Sequence, residues 1–228
     1  MNAKVISGKE VAENILSNDL RARVEQLKHK NIVPKLVVIL VGEMKASASY
    51  VAQKEKFAGK AGIVSEVRRF DDTISEQEIL DEIDKINRDI SIHGVIVQLP
   101  LPKQISVTKV LNSINPSKDV DGFTPSNVGK LFLGEDTLVS CTPKGIMSIL
   151  QSADVDLTGK NVTVIGRSNI VGKPVSILCQ QQNATVTMCH SKTRDINAKL
   201  ADADVIIVAA GVPKFINKTA FLPKATLG

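Results

Sequence analysis

Val162-Thr163-Val164-Ile165-Gly166-Arg167-Ser168-Asn169-Ile170-Val171-Gly172-Lys173-Pro174 is the stretch that decides the fold. Asn161 to Ile165 reads as a short strand buried on both faces, because its apolar and β-branched residues run without alternation. Glycines follow at Gly166 and Gly172, and a helical pattern then runs from Val171 to Gln182. Strand, glycine turn and helix in that order are the grammar of a nucleotide-binding βαβ unit. Glycine lets a backbone come close to a pyrophosphate, and a helix start offers unpaired N–H groups and the positive end of a dipole. The spacing is G-x5-G rather than G-x-G-x-x-G, so the turn alone does not separate a ligand loop from a plain tight turn.

Downstream, a strand is expected over Ala184 to Met188, a helix over Thr193 to Leu200 and a strand over Asp204 to Ala210. Where an NAD site would place a carboxylate on the ribose, this chain has His190-Ser191-Lys192-Thr193-Arg194, with Asp195 only beyond. A hydroxyl at Ser191 with cations around it, and Arg167 within reach from the glycine turn, suits a 2′-phosphate. NADP is therefore favoured over NAD.

Upstream, the pattern is again α/β. Glu10 to Lys30 has helical spacing, and Leu36 to Val41 (LVVILV) is a fully buried strand ending at Gly42. Ala46 to Ala61 is a helix stopped by Gly62, and Ile63 to Phe70 a weaker strand. Ser75 and Glu78 form a capping box before Ile79, Leu80, Ile83 and Ile86 on one helical face. Gly94 to Val97 is a buried strand running into Gln98-Leu99-Pro100-Leu101-Pro102. Ser106 to Ser113 is a short helix, and Asn115 to Gly134 reads as mostly turn. Thr142-Pro143 looks like an N-cap with proline at the first helical position, opening a helix to Ser152. The fold class is α/β with parallel sheets, in two domains that change over near residue 140: 1–140 and 141–228.

Composition narrows the function. The chain has 228 residues, 43% hydrophobic and 23% charged, an ordinary globular balance. The runs Leu36 to Val41 and Val205 to Ala210 are too short to cross a bilayer, and no apolar stretch follows a basic start, so neither a membrane span nor a secretory signal is expected. Cys141, Cys179 and Cys189 make neither a disulfide framework nor a zinc spacing; as thiols of a reducing compartment they place the protein in the cytoplasm. No metal site is expected. The formal charge is +5, but the lysines are scattered, tryptophan is absent, and one tyrosine and six phenylalanines offer little for stacking on bases. A small anionic ligand is the better use of that charge than nucleic acid.

Ser47, Tyr50 and Lys54 fall on one helical face. A lysine beside a hydroxyl can transfer protons if burial destabilises its charge, though on the spacing alone an amphipathic face with a snorkelling lysine is the better reading. Gln98 sits just past a strand's C-terminal end, where open parallel sheets place ligand groups. Asp119-Val120-Asp121-Gly122 forms a second such loop or a plain turn. His93 and His190 are given no chemical role.

In order along the chain stand Val41-Gly42, Ala46-Ser47, Tyr50-Val51-x-x-Lys54, Val97-Gln98-Leu99-Pro100-Leu101-Pro102, Lys118-Asp119-Val120-Asp121-Gly122-Phe123, Cys141-Thr142-Pro143-Lys144-Gly145-Ile146, Gly166 to Pro174 and Ala184 to Thr193. This series resembles the bifunctional methylenetetrahydrofolate dehydrogenase/methenyltetrahydrofolate cyclohydrolase family over essentially the whole chain. The resemblance implies two α/β domains around a cleft, a folate-binding catalytic domain and a Rossmann-like NADP-binding domain. It implies NADP-dependent oxidation of 5,10-methylenetetrahydrofolate, then hydrolysis of the methenyl product to 10-formyltetrahydrofolate. By that resemblance Lys54 is the key group of the hydrolytic step, Tyr50 packs over the folate, Gln98 hydrogen-bonds the lysine and Asp121 anchors the pterin ring. Ser47, Leu99 and Pro100 line the substrate site. Gly166, Arg167, Ser168, Ile170, Val171, Gly172 and Ser191 hold the dinucleotide, and a homodimer is implied. The chain departs from the family pattern at Glu43-Met44-Lys45, where the family has a proline. At Gly228 the family pattern continues with further cofactor-domain strands, a glycine-rich loop and a helix, so a C-terminally shortened cofactor domain is expected. Two other readings remain at this point: a non-catalytic folate- or nucleotide-binding remnant of the same lineage, and a short-chain alcohol dehydrogenase, whose Tyr-x-x-x-Lys pair Tyr50 and Lys54 imitate.

Overall fold

A computed structural model describes residues 4–211. The chain divides into two compact units, one spanning 12–128 and the other formed by the described residues before and after it. The expected Glu10 to Lys30 helix is α1 (Gly8–Ile15) and α2 (Arg21–Lys28) joined through a wider π-helical turn at Leu16–Leu20. A π turn leaves no signature in apolar spacing, so the sequence reads as one regular helix.

In the 12–128 unit, β1 (Lys35–Val41) is the central strand of a parallel sheet ordered β2-β1-β3, with β2 at Val64–Phe70 and β3 at Gly94–Val97. The pairing runs Lys35 to Val64 through Val41 to Phe70, and Leu36 to Gly94 through Ile39 to Val97. β1 is apolar on both faces because both are covered. Val37, Ile39 and Val41 pack with Ile79, Ile83 and Ile86 of α4 (Glu76–Arg88), and Val38 and Leu40 pack with Val51 of α3 (Lys45–Ala61). α3 ends at Gly62 in the left-handed region, and the capping box of α4 is formed by Ser75 and Glu78 in both directions.

α5 (Val107–Ser113) follows the short-helix expectation. α6 (Pro125–Leu133) does not, since Asn115 to Gly134 reads as turn in sequence. The signal was Thr124-Pro125, a capping hydroxyl before a proline at the first helical position; the Asn127 amide donates to Thr124 Oγ1 at 3.4 Å. Gly129 and the turn residues before it masked that start.

In the other unit, α7 (Cys141–Ser152) precedes a second parallel sheet ordered β5-β4-β6. Its strands are β4 (Asn161–Ile165), β5 (Thr185–Cys189) and β6 (Val205–Val208), and α8 (Gly172–Gln181) and α9 (Ile196–Ala201) connect them. Val162, Val164, Val175, Cys179 and Ile207 make one core, and Ile165, Cys189 and Leu200 the other. Two expectations shift. α7 starts one residue before Thr142, with Ser140 in the N-cap position, so Pro143 is its third residue and not its first. α9 starts at Ile196 rather than Thr193, because Asp195 takes the N-cap and accepts from the Ala198 amide. The part of the expected 141–228 domain beyond residue 211 lies outside the described residues.

Candidate active site

In the 12–128 unit the chemistry-bearing residues gather at the C-terminal end of the sheet. Gln98 follows β3 directly, and its backbone amide donates to Ile39 O at 2.9 Å, extending the ladder by one bond. Its side chain is held at both ends. Nε2 donates to Leu99 O at 2.7 Å, which leaves Oε1 turned to accept from Lys54 Nζ at 3.2 Å. Lys54 is half-buried, and so is the Gln98 it meets. The helical spacing found in sequence therefore brings the ammonium to one specific acceptor.

The remaining members of the α3 face differ in exposure. Tyr50 is 65% exposed, while Ser47 is 6% exposed and belongs to the interior. Leu99 is half-buried, Pro100 exposed, and the bond between them is cis.

Asp119 and Asp121 separate into different tasks. Asp119 is 1% exposed; its Oδ2 accepts from the Thr124 amide at 2.7 Å and from Asn127 Nδ2 at 3.0 Å. It is the buried strut of the loop, and the loop pairs with β3 through a parallel bridge between Val95 and Asp119. Lys118 adds a second anchor, donating to Ile86 O at 2.7 Å and Asp89 O at 2.6 Å at the end of α4. Asp121, half-buried two residues on, is thereby held beside the strand that carries Gln98. Sequence reasoning missed Lys118 and Asp119 as anchors, because a carboxylate and a lysine before a glycine look like any polar turn.

In the other unit, the glycine loop leaves the C-terminal end of β4, which is flanked by β5 on one side and β6 on the other. That is the topological switch point where open parallel sheets bind ligands. The G-x5-G spacing has a steric reason. Gly166 has φ +129°, and a Cβ there would collide with Ala209 O and lie 2.9 Å from its carbonyl carbon. A Cβ on Gly172 would collide with the Gly166 carbonyl and lie 2.9 Å from the Arg167 amide nitrogen. The two glycines are packed backbone on backbone, which no other residue permits.

One expectation is corrected here. The first amides of α8 are not open. Val171 and Gly172 donate to Ser168 Oγ at 3.1 and 3.3 Å, Lys173 donates to Ser168 O at 3.0 Å, and Pro174 has no N–H. Ser168 is a cap that the sequence reading had only as a ligand residue. Among the described residues, the amides of Ser168, Asn169 and Ile170 have no protein acceptor, so the loop before the helix carries the available donors. Arg167 and Ser191 are exposed, Ser191 just past the end of β5. His190 Nδ1 accepts from the Lys192 amide at 3.1 Å and Thr193 Oγ1 accepts from the His190 amide at 2.8 Å, so His190 shapes the turn that carries Ser191. His93 Nδ1 accepts from the Lys35 amide at 3.2 Å. Burial pushes the Cys179 thiol up to about 11 and raises that of Cys189, which keeps both protonated and unreactive at neutral pH.

The glycine cradle, the donors of the loop before α8 and the exposed Arg167 and Ser191 fit a phosphorylated dinucleotide. Fold and site define a two-unit parallel α/β protein, with a Rossmann-like unit and a second unit built around an amide-held lysine. The tetrahydrofolate dehydrogenase/cyclohydrolase catalytic-domain model matches residues 6–121, and the NAD(P)-binding-domain model of the same family matches residues 140–227. The chain belongs to that family. It is 53% identical over 218 residues to the bifunctional protein FolD of Staphylococcus haemolyticus, covering 96% of this chain and 76% of the relative. Its fold matches the crystal structure of the bifunctional dehydrogenase/cyclohydrolase of Campylobacter jejuni with a TM-score of 0.91 at 42% identity, covering 93% of this chain and 76% of that one. It also matches the Trypanosoma brucei enzyme, solved with NADP cofactor and an inhibitor, with a TM-score of 0.88 at 34% identity over 93% and 74% of the two chains.

Proposed function

We propose that this chain oxidises 5,10-methylenetetrahydrofolate to 5,10-methenyltetrahydrofolate with NADP and hydrolyses that product to 10-formyltetrahydrofolate. The observation that carries this reading is the Lys54–Gln98 pair at the end of the first sheet. Water adds to the cationic methenyl carbon, and one carbon–nitrogen bond then opens. A proton leaves the incoming water and another reaches the departing ring nitrogen. Lys54 is the group placed to move these protons. Gln98 fixes where the ammonium stands, because its own amide is locked by Leu99 O. Such holding is what a reaction limited by orientation requires.

Tyr50, exposed on α3, offers a flat face for the folate, and Ser47, buried on the same helix, lines the substrate site from within. Leu99 and Pro100 complete the substrate surface, and Asp121 accepts from the pterin. NADP supplies the hydride acceptor of the first step. Gly166, Ser168, Ile170, Val171 and Gly172 form the loop proposed to hold it, with Arg167 and Ser191 on its 2′-phosphate. We take 1–140 as the folate-binding catalytic domain and 141–228 as the NADP-binding domain; the two family matches, 6–121 and 140–227, support that division. A cytoplasmic homodimer is part of the same proposal. The Lys54–Gln98 geometry and the closely packed glycine turn favour a catalyst over a non-catalytic remnant.

Lys54→Met tests the reading. Methenyl hydrolysis should be lost, whereas NADPH formation should survive in part, since hydride transfer uses no general base here. Hydrolysis at the wild-type rate in Lys54→Met would remove Lys54 from the mechanism.

A further inference from the structure

Ser140 precedes α7 and is 4% exposed. A serine in this position ordinarily accepts from the second or third helical amide. Here the third residue is Pro143, which has no N–H, and Ser140 makes no side-chain cap. Its Oγ instead donates to Ile170 O at 2.7 Å. That carbonyl belongs to the peptide joining Ile170 to Val171, and the N–H of the same peptide donates to Ser168 Oγ at 3.1 Å. A peptide is a rigid plane. Two serine hydroxyls thus hold one plane at both ends, one from inside the loop and one from outside it. The plane leads straight into Gly172, which has no room for a side chain against the Gly166 carbonyl and the Arg167 amide.

We infer that Ser140 is a positioning residue for NADP: by fixing the Ile170–Val171 peptide plane, it holds the glycine loop in its binding geometry without touching the cofactor. The inference rests on the proposal that this loop binds NADP. Loss of a part-buried hydroxyl–carbonyl bond of this kind, where it loosens the loop that binds, corresponds to about a three- to tenfold change in affinity.

The test uses the full chain and its Ser140→Ala variant. NADP affinity is read by titration calorimetry without folate, the cyclohydrolase rate is read without dinucleotide, and amide exchange is read at Val171 and Gly172 in the unliganded protein. The expected result is an NADP Kd about three- to tenfold higher. Exchange at Val171 should be faster, with the cyclohydrolase rate unchanged and the unliganded melting temperature lowered by no more than one lost hydrogen bond accounts for. A wild-type Kd in Ser140→Ala overturns the inference. So does a cyclohydrolase rate that falls in step with affinity, which would make Ser140 a general structural residue. If the wild-type chain itself has no NADP affinity, the functional proposal fails and this inference with it. Normal wild-type binding with an unmoved variant removes this inference alone.

Discussion

The residues proposed to carry the chemistry are tied to the backbone more than to one another. Gln98 is oriented by Leu99 O, the Asp121 loop by Lys118 on the carbonyls of Ile86 and Asp89, and the first amides of α8 by Ser168. Arg167 and Ser191, by contrast, are exposed and open to a ligand. Arg167→Ala and Ser191→Ala should each weaken NADP more than NAD, since only NADP carries the phosphate they would meet. A charge-assisted bond contributes roughly 1.5–3 kcal/mol, or about ten- to a hundredfold in affinity. Dissociation constants for both dinucleotides check this; equal losses would mean that the cluster serves no 2′-phosphate. The helical face of Lys54, the strand-end place of Gln98 and the glycine turn were legible in the spacing; that Lys54 and Gln98 meet came only from the family resemblance, and the structure puts them 3.2 Å apart. Ser140, Lys118 and Asp119 were not legible. Their partners are backbone carbonyls and amides up to thirty-two residues away, and nothing in a residue's type reveals such a partner.

At the scale of elements, the sequence patterns located every described strand: β1, β3 and β6 as apolar runs, and β2, β4 and β5 as β-branched or alternating stretches bounded by turn residues. The misses fall where two signals compete. Glycine and asparagine outweigh Thr124-Pro125 at the start of α6, and at α7 the Thr142-Pro143 pair imitates a cap and first residue although Ser140 holds the N-cap position. Gly172, the first residue of α8, packs directly on the loop that leaves β4. Gly172→Ala must push a new methyl into the Gly166 carbonyl and the Arg167 amide, both backbone atoms that cannot rotate aside. The loop must move, and NADP affinity should fall by at least about tenfold, on the order of 1.4 kcal/mol. Titration of NADP into the variant reads this directly. Retained affinity would show that the loop binds through side chains rather than by close backbone approach.

On the scale of the whole molecule, each sheet has its own core, and charged pairs tie the strands of the first sheet to its helices. Hydrogen bonds from Lys35 and Arg68 hold the Glu66 carboxyl below the usual carboxylate range, and Arg68 also reaches Glu82 on α4. Lys109 and the Ser106 amide do the same for Glu76, joining α4 to α5. These carboxyls bind protons more weakly folded than unfolded. Their contribution is therefore complete above the ordinary carboxylate range and is lost as pH falls through the lowered values. Melting temperatures should hold from neutral pH down to that range and then drop, and Glu66→Gln should flatten part of the drop. An acid profile that Glu66→Gln leaves unchanged would place the sensitivity elsewhere.

The joint reading of the two units is tested most directly by one spectroscopic time course. The folded 228-residue chain is given 5,10-methylenetetrahydrofolate and NADP, and NADPH and the methenyl intermediate are followed together. NADPH should rise while the methenyl species stays low, because Lys54 and Gln98 pass it on to 10-formyltetrahydrofolate. A chain that melts cooperatively yet forms no NADPH, or forms NADPH while the methenyl product accumulates at the uncatalysed rate of hydrolysis, would contradict that reading.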